Sequence, residues 1–394
     1  MAESSTFDDD PARWRALALL STAVLLGMSL WFAASAVAAD LGVRWGLTSS
    51  EMGGFTSLVQ LGFVFGTATL AILNVGDLVS GSKLFALSAL VGAAANVSLL
   101  VVPSYGWALA SRALTGFALA GVYPPAMKMV ATWFRSARGF AVGVLIGALT
   151  IGKSMPYLVH ALDLGEVPVV WSATASALVA AVLVGVLYRE GPFPFPSRPF
   201  HWGLVGEVVR ERKWRLSTGG YLGHMWELYA MWAWLPVFLG ASAHGRMGAW
   251  SPNLLAFAAI AIGGLGCVWG GWWADRNGRE RLVTVAMAVS GMCALLIGPL
   301  SAVGWWVSAV VALVWGFFVI ADSAQFSTMV TESVPPHAVG TALMLQTSLG
   351  FLLTMASIQL IPLAVEWVGW RWAFATLAAG PVLGIESIRR LRKN

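Results

Sequence analysis

Twelve apolar runs, each about long enough to cross a lipid bilayer, follow one another along this chain with mostly short loops between them. A spanning helix needs ~20 mostly apolar residues. The runs fall at about 16–39, 53–76, 84–103, 107–130, 140–160, 168–188, 216–239, 251–274, 282–303, 305–330, 340–364 and 369–388. Backbone polar groups in lipid must be satisfied within the segment, so each run is expected to be a helix. The first run is too long, and too closely followed by a second, to read as a cleaved leader. Composition points the same way. Of 394 residues, 58% are apolar and 11% charged, and the mean hydropathy is +0.75. A soluble domain carries about 25% charged residues, so soluble enzymes, nucleic-acid binders and disordered chains are excluded. The two cysteines, Cys267 and Cys293, sit inside apolar runs and form no disulfide framework or metal cluster.

The basic residues set an orientation. With a cytoplasmic N-terminus, cytoplasmic segments hold eighteen of the 24 Lys and Arg, and the opposite side holds only Arg44, Arg246 and Arg371. Arg112, Lys128 and Lys153 lie inside runs. This is a strong positive-inside bias and places both termini in the cytoplasm. The basic pI near 9.5 thereby records topology and not an affinity for nucleic acid. The longest loop divides the runs six and six. The expected organisation is a cytoplasmic tail (1–15), a six-helix bundle (16–188), an inter-bundle loop (189–215), a second six-helix bundle (216–388) and a basic cytoplasmic tail (389–394). Prolines open the inter-bundle loop and prevent a helix there. Its continuation from His201 to Arg215 can form a short basic amphipathic helix on an anionic leaflet, or serve as a plain linker.

The halves echo one another. After run 8 the chain reads Gly271-Trp-Trp-Ala-Asp275-Arg276-Asn-Gly278-Arg279-Glu-Arg281, and after run 2 it reads Asp77-Leu-Val-Ser-Gly81-Ser-Lys83. The two aspartates stand 198 residues apart, about half the chain. Ala141-Val-Gly143 recurs as Ala338-Val-Gly340, and Ser21-Thr22 with Gly27 matches Ser217-Thr218 with Gly223. Twelve runs with a duplicated G-x-x-x-D-R-x-G-R-x-R loop resemble the major facilitator superfamily. The second copy is the full match. In the first, Leu73 and Leu78 stand where Gly and Arg are expected. Arg112-Ala-Leu-Thr-Gly116, continuing through Tyr123-Pro124-Pro125 to Trp133-Phe134 and Arg138-Gly139, is similar to organic-anion branches of that superfamily. The resemblance implies an all-α membrane protein of twelve transmembrane helices in two pseudo-symmetric six-helix bundles.

The loop motif has a chemistry of its own. The Asp275 carboxylate can cap the positive N-terminus of a neighbouring helix. Arg276, Arg279 and Arg281 can pair with a carboxylate of the adjoining loop, and Glu332 is the nearest in sequence terms. Gly278 permits a tight turn. In the first half, Asp77 and Lys83 face Arg135 and Arg138 in the same manner. Such pairs close the cytoplasmic side and must break when it opens. The competing reading is that these charges only enforce topology.

Ionisable groups inside the bilayer are functional candidates by default. At 1.5 Å per residue, Arg112 stands ~27 Å above the cytoplasmic end, Lys153 ~20 Å, Glu227 ~16 Å, Asp322 ~10 Å and Lys128 ~3 Å. Tyr221, His224 and Glu227 share a face of run 7; Trp315, Asp322 and Gln325 share one on run 10. Thr150, Lys153 and Tyr157 do the same on run 5, and Arg112, Gly116 and Tyr123 on run 4. The resemblance implies that runs 1, 4, 7 and 10 line a central cavity with the substrate near the midplane; run 1 offers Ser29 and Trp31. Glu227 with His224 is the expected proton-coupling pair, with Asp322 next. Lys153, Arg112, Tyr123, Trp31, Tyr221 and Gln325 are the expected substrate residues. Lys153 has an alternative as a fixed partner of Glu227, and Arg112 as a tie between runs 1 and 4 with Asp40 as acceptor.

No Walker loop, catalytic triad or zinc spacing is present, so no cofactor and no enzymatic activity are expected. The expected function is secondary active transport of a small solute, an organic anion on the strength of Arg112 and Lys153, driven by protons. The alternatives are a proton-antiport exporter of drugs or metabolites, a channel, or an integral membrane enzyme. Expected partners are a small-molecule substrate, protons and the lipid bilayer, with a monomer sufficient. The expected location is a multi-pass position in a bacterial cytoplasmic membrane.

Overall fold

Every one of the twelve apolar runs is helical in the computed structural model, several with a break along their length. The structure describes residues 11–134, 137–193, 202–243 and 251–393; Arg135 and the side chains of Asp77 and Arg138 lie outside this description. The helices are α1 (Ala12–Met28, resuming at Ala33–Ala36 and Ala38–Trp45), α2 (Ser49–Ile72), α3 (Gly81–Val97), α4 (Tyr105–Leu119, resuming at Tyr123–Ala131), α5 (Arg138–His160) and α6 (Glu166–Val182). The second half follows with α7 (Arg212–Ala243), α8 (Pro252–Asn277), α9 (Arg279–Leu300), α10 (Trp305–Ala321, resuming at Ser323–Ser333), α11 (Val339–Val368) and α12 (Trp370–Ala373, resuming at Ala379–Leu391).

Eight of these are long and apolar enough to cross a membrane by length and hydropathy, counting α10 across its break. The other four are α1, α4, α7 and α12. Three of them are interrupted, and α7 is continuous but carries His224 and Glu227 at its centre. The α4 break has a covalent cause. Pro124 and Pro125 lack N–H donors and their rings crowd the carbonyls four residues back, so a helix restarts with them in its first turn.

Packing repeats between halves. In the first half α1 packs on α5 and α6, α3 on α4 and α6, and α2 on α4. In the second half α7 packs on α11 and α12, α9 on α10 and α12, and α8 on α10. Each pair has its counterpart six helices on. The halves join along α5 with α8 and, symmetrically, α11 with α2. Small residues make these joints close: a Cβ on Gly147 of α5 would stand 3.1 Å from the Gly264 carbonyl oxygen of α8.

A short helix, Trp202–Arg210, precedes α7. It docks on protein: Val208 is fully buried with Trp214, Val330, Val334 and Ala338 around it, and Glu207 lies 3.0 Å from His337. Trp202 and Val209 on its other side are exposed.

Candidate functional site

The α1 break creates the first part of the site. Between Met28 and Ala33 the chain leaves the helix, which frees the carbonyls of Leu30 and Trp31. Arg112 of α4 takes both. Its Nη2 donates to Leu30 O at 2.9 Å and Trp31 O at 2.6 Å, and its Nη1 donates to Asn96 Oδ1 at 3.2 Å. Arg112 is fully buried. Asp40 pairs elsewhere, with His160 at 2.9 Å. Arg112 therefore ties α4 to α1 through backbone carbonyls and Asn96, and it fixes the turn that carries Trp31.

Lys153 projects from α5 beside that turn. Its Nζ lies 4.0 Å from the centroid of the Trp31 ring, 4.8 Å from Tyr229 and 5.8 Å from Trp232, and it donates a hydrogen bond to the Tyr229 hydroxyl. Tyr229 and Trp232 belong to α7, so this cage spans the two halves. Phe63 and Phe351 pack against Trp31 at 5.3 and 5.4 Å and close the cage with aromatic surface. Among the described residues no carboxylate pairs with Lys153. Its ammonium is held by π faces, an arrangement that is stronger when desolvated.

Glu227 faces the other way, into the second half. Its carboxylate accepts from Trp315 Nε1 at 2.6 Å and from Ser290 Oγ at 2.8 Å. His224, one turn earlier on α7, stands apart from it and lies 2.9 Å from Asp322 at the α10 break. Glu227, His224 and Asp322 are each nearly inaccessible. Tyr221 and Phe326 stack about His224, with ring centroids 6.1 and 5.4 Å from it. Gln325 is buried in the first turn after the α10 break, and Tyr123 begins the second segment of α4, partly buried. The expected His224–Glu227 pair is thus two separate units, and the Lys153–Glu227 pair is not formed.

At the end bearing the termini, Arg279 donates to both oxygens of Glu332 at 2.5 and 2.6 Å. Arg276 turns back on its own helix, to Trp272 O at 3.2 Å with its guanidinium 4.1 Å from the Trp272 ring centroid. Gly278 takes φ +90°, which an L side chain rarely adopts. Gly271 faces open space. Asp275 and Lys83 are exposed and make no hydrogen bond or ion pair with a described residue, so Asp275 caps no described helix here. At the opposite end, Ser50 donates to Gln359 at 2.6 Å and Asn253 Nδ2 lies 2.7 Å from His160 Nδ1. Deeper on that side, Thr354 donates to Gln60 at 2.5 Å, and Tyr157 to the Trp232 carbonyl at 3.3 Å.

The sequence reading missed Tyr229, Phe351 and Ser290. Tyr229 stands two residues beyond Glu227, on nearly the opposite face of α7. A search along the Tyr221–His224–Glu227 stripe passes over it.

A profile described as Major Facilitator Superfamily matches residues 19–358. The chain belongs to the major facilitator superfamily. It is 25% identical over 275 residues to the MFS-type transporter hasB of Aspergillus fumigatus, covering 63% of this chain and 58% of the relative. It is 26% identical over 240 residues to the MFS-type transporter pynF of Aspergillus niger, covering 58% of this chain and 54% of the relative. The chain therefore matches a little over half the length of these curated relatives. They are fungal and lend no support to a bacterial cytoplasmic membrane as the location. Among solved structures, the nucleoside transporter NupG superposes with a TM-score of 0.72 at 16% identity, over 95% of this chain and 99% of that one. A bacterial homologue of the human lysosomal transporter Spinster, in an inward-facing and unoccupied conformation, superposes with a TM-score of 0.73 at 14% identity, over 98% of both chains. At such identities these likenesses speak for the fold alone. The chain is a multi-pass membrane protein of that superfamily.

Proposed function

We propose that this protein is a secondary transporter of a small organic anion, with Lys153 as the group that receives the anionic end and with protons as the coupling ion. The observation that carries the reading is the pairing pattern. Among the described residues, the buried ammonium of Lys153 has a hydroxyl and ring faces around it, whereas Glu227 has Ser290 and Trp315, and Asp322 has His224. A buried ammonium without a counter-charge is costly, and an anionic substrate supplies one. Arg112 is spent on carbonyls, so its part is to hold Trp31 in the cage. Tyr221, Tyr123 and Gln325 lie toward the terminus-bearing end and line the route to it.

Coupling belongs to the second half. Glu227 is a buried carboxyl that keeps two donors in either protonation state, and His224 with Asp322 lies one turn nearer the terminus-bearing end. A proton can pass from Asp322 and His224 toward Glu227 along the face they share. At the inward end Arg279 with Glu332 fastens α9 to α10 within the second half, and Asp77 and Lys83 with Arg138 are assigned the corresponding part in the first.

The test is a thermal-shift screen of purified protein against small carboxylates, neutral solutes and cations, followed by counterflow of the hits in liposomes. Carboxylates should raise Tm and exchange, and Lys153→Ala should lose both responses. Counterflow confined to neutral or cationic solutes would overturn the reading.

A further inference from the structure

We infer that Tyr229 is a built-in competitor for the substrate: its hydroxyl occupies Lys153 while the site is empty, and an arriving carboxylate displaces it, undoing a tie between the two halves. This rests on the reading that Lys153 receives the anion. Lys153 and Trp31 belong to the first half, Tyr229 and Trp232 to the second. The Lys153–Tyr229 bond therefore crosses the joint on the side away from the termini, where Gln60 with Thr354 and Ser50 with Gln359 also cross.

The ring and the hydroxyl of Tyr229 have separate tasks. The ring is held by neighbours of its own, with centroids of Trp232 and Phe351 at 5.3 Å and of Trp31 at 5.7 Å. The hydroxyl is the part that accepts from Lys153. A neutral hydroxyl is a weaker acceptor for an ammonium than a carboxylate, which adds the attraction of opposite charges. An anion therefore wins the exchange, where a neutral solute gains nothing over the oxygen already in place. Two further donors stand ready. The indole nitrogens of Trp31 and Trp232 are buried, and neither has a hydrogen-bond partner among the described residues. Together with Lys153 they offer more donors than one phenol can use and suit a two-oxygen acceptor. The same helix thus shows its proton-binding carboxyl to one half and its substrate surrogate to the other, 200° apart by helical phase.

The experiment uses Cys267→Ala/Cys293→Ala protein carrying Ser57→Cys, reconstituted in liposomes. Ser57 is buried on the cleft between α2, α4 and α11, away from the termini, with its hydroxyl unpaired. Reaction with a membrane-impermeant maleimide reads opening on that side. Without any solute, Tyr229→Phe should speed labelling by about tenfold or more, as loss of one hydrogen bond to a charged group predicts. Benzoate, acetate and succinate serve as probes. At least one should speed labelling in the parent, leave Tyr229→Phe unaffected and exchange with a KM about tenfold or more lower in Tyr229→Phe than in the parent. If labelling and KM are unchanged by Tyr229→Phe while Lys153→Ala raises KM, the competitor role is overturned and the anion site stands. If Lys153→Ala leaves carboxylate exchange intact, the anion reading fails and the inference falls with it. Failure of all three probes to alter labelling in the parent also overturns displacement by a carboxylate.

Discussion

On the proposed reading Lys153 serves the substrate and Glu227 the proton, and each makes a separable prediction. Lys153→Ala should raise KM for a carboxylate by about tenfold or more, since a hydrogen bond to a charged group contributes about 1.5–3 kcal/mol. Expression should change far less, because the cage is held by its own aromatic contacts. Lys153→Arg should fall between, as it keeps the charge and alters the geometry. Glu227→Gln should abolish proton-driven accumulation and preserve exchange, because the amide oxygen still accepts from Trp315, the amide NH2 can donate to the Ser290 hydroxyl, and exchange needs no net proton release. Accumulation against a gradient in that variant would move the coupling site to Asp322. The polar members of the site were legible in the sequence, since charge inside an apolar run is conspicuous. Their partners were not. Helical phase puts His224 and Glu227 on one face, but it says nothing of the neighbouring helix at each depth. The α10 break brings Asp322 to His224, while Trp315, nearly two turns before Asp322 on α10, meets Glu227.

The breaks in α1, α4 and α10 are the elements that build the site. The twelve helices were legible because lipid permits few alternatives to a helix. The α4 break had a visible signal in Pro124-Pro125, whereas the α1 break had none: Ser29–Phe32 reads as an unremarkable continuation. That break is sustained from outside, by Arg112 on carbonyls that a continuous helix would satisfy itself. Arg112→Gln should therefore act on the element and not on the substrate's charge. Unsatisfied buried carbonyls cost about 1–3 kcal/mol each, so thermal unfolding in detergent should fall by several degrees or more. Arg112→Lys should rescue little, since one ammonium cannot reproduce the guanidinium fork. A variant of normal Tm with altered charge preference would show instead that Arg112 meets the substrate.

Across the whole molecule, the inward-end pair of Arg279 and Glu332 lies within the second half and biases closure only indirectly. Arg279 and Glu332 are 35% and 56% exposed, and such pairs contribute about 0.2–1 kcal/mol. Arg279→Ala should thus shift the balance between inward- and outward-open forms by no more than about fivefold, and the swap Arg279→Glu/Glu332→Arg should restore it. Distance distributions between spin labels on α5 and α11 would read both. Complete loss of one form in the single variant would show that the gate is concentrated there. Asp275→Asn should act still more mildly in this state, having no described partner to lose. The uneven apolarity of the helices bears, finally, on how the chain reaches the membrane at all. At the translocon each helix is weighed nearly alone, and a central charged residue costs ~2.5–3.5 kcal/mol against ~0.3–0.6 gained per Leu, Ile, Phe or Val. On that scale α9 enters unaided, while α7, with His224 and Glu227 at its centre, does not. In microsomes, a glycosylation reporter should show α7 inserting poorly by itself and efficiently with α8 attached. Biogenesis of the second half then waits on synthesis of α8, so the polar groups that make transport possible also set the order of assembly.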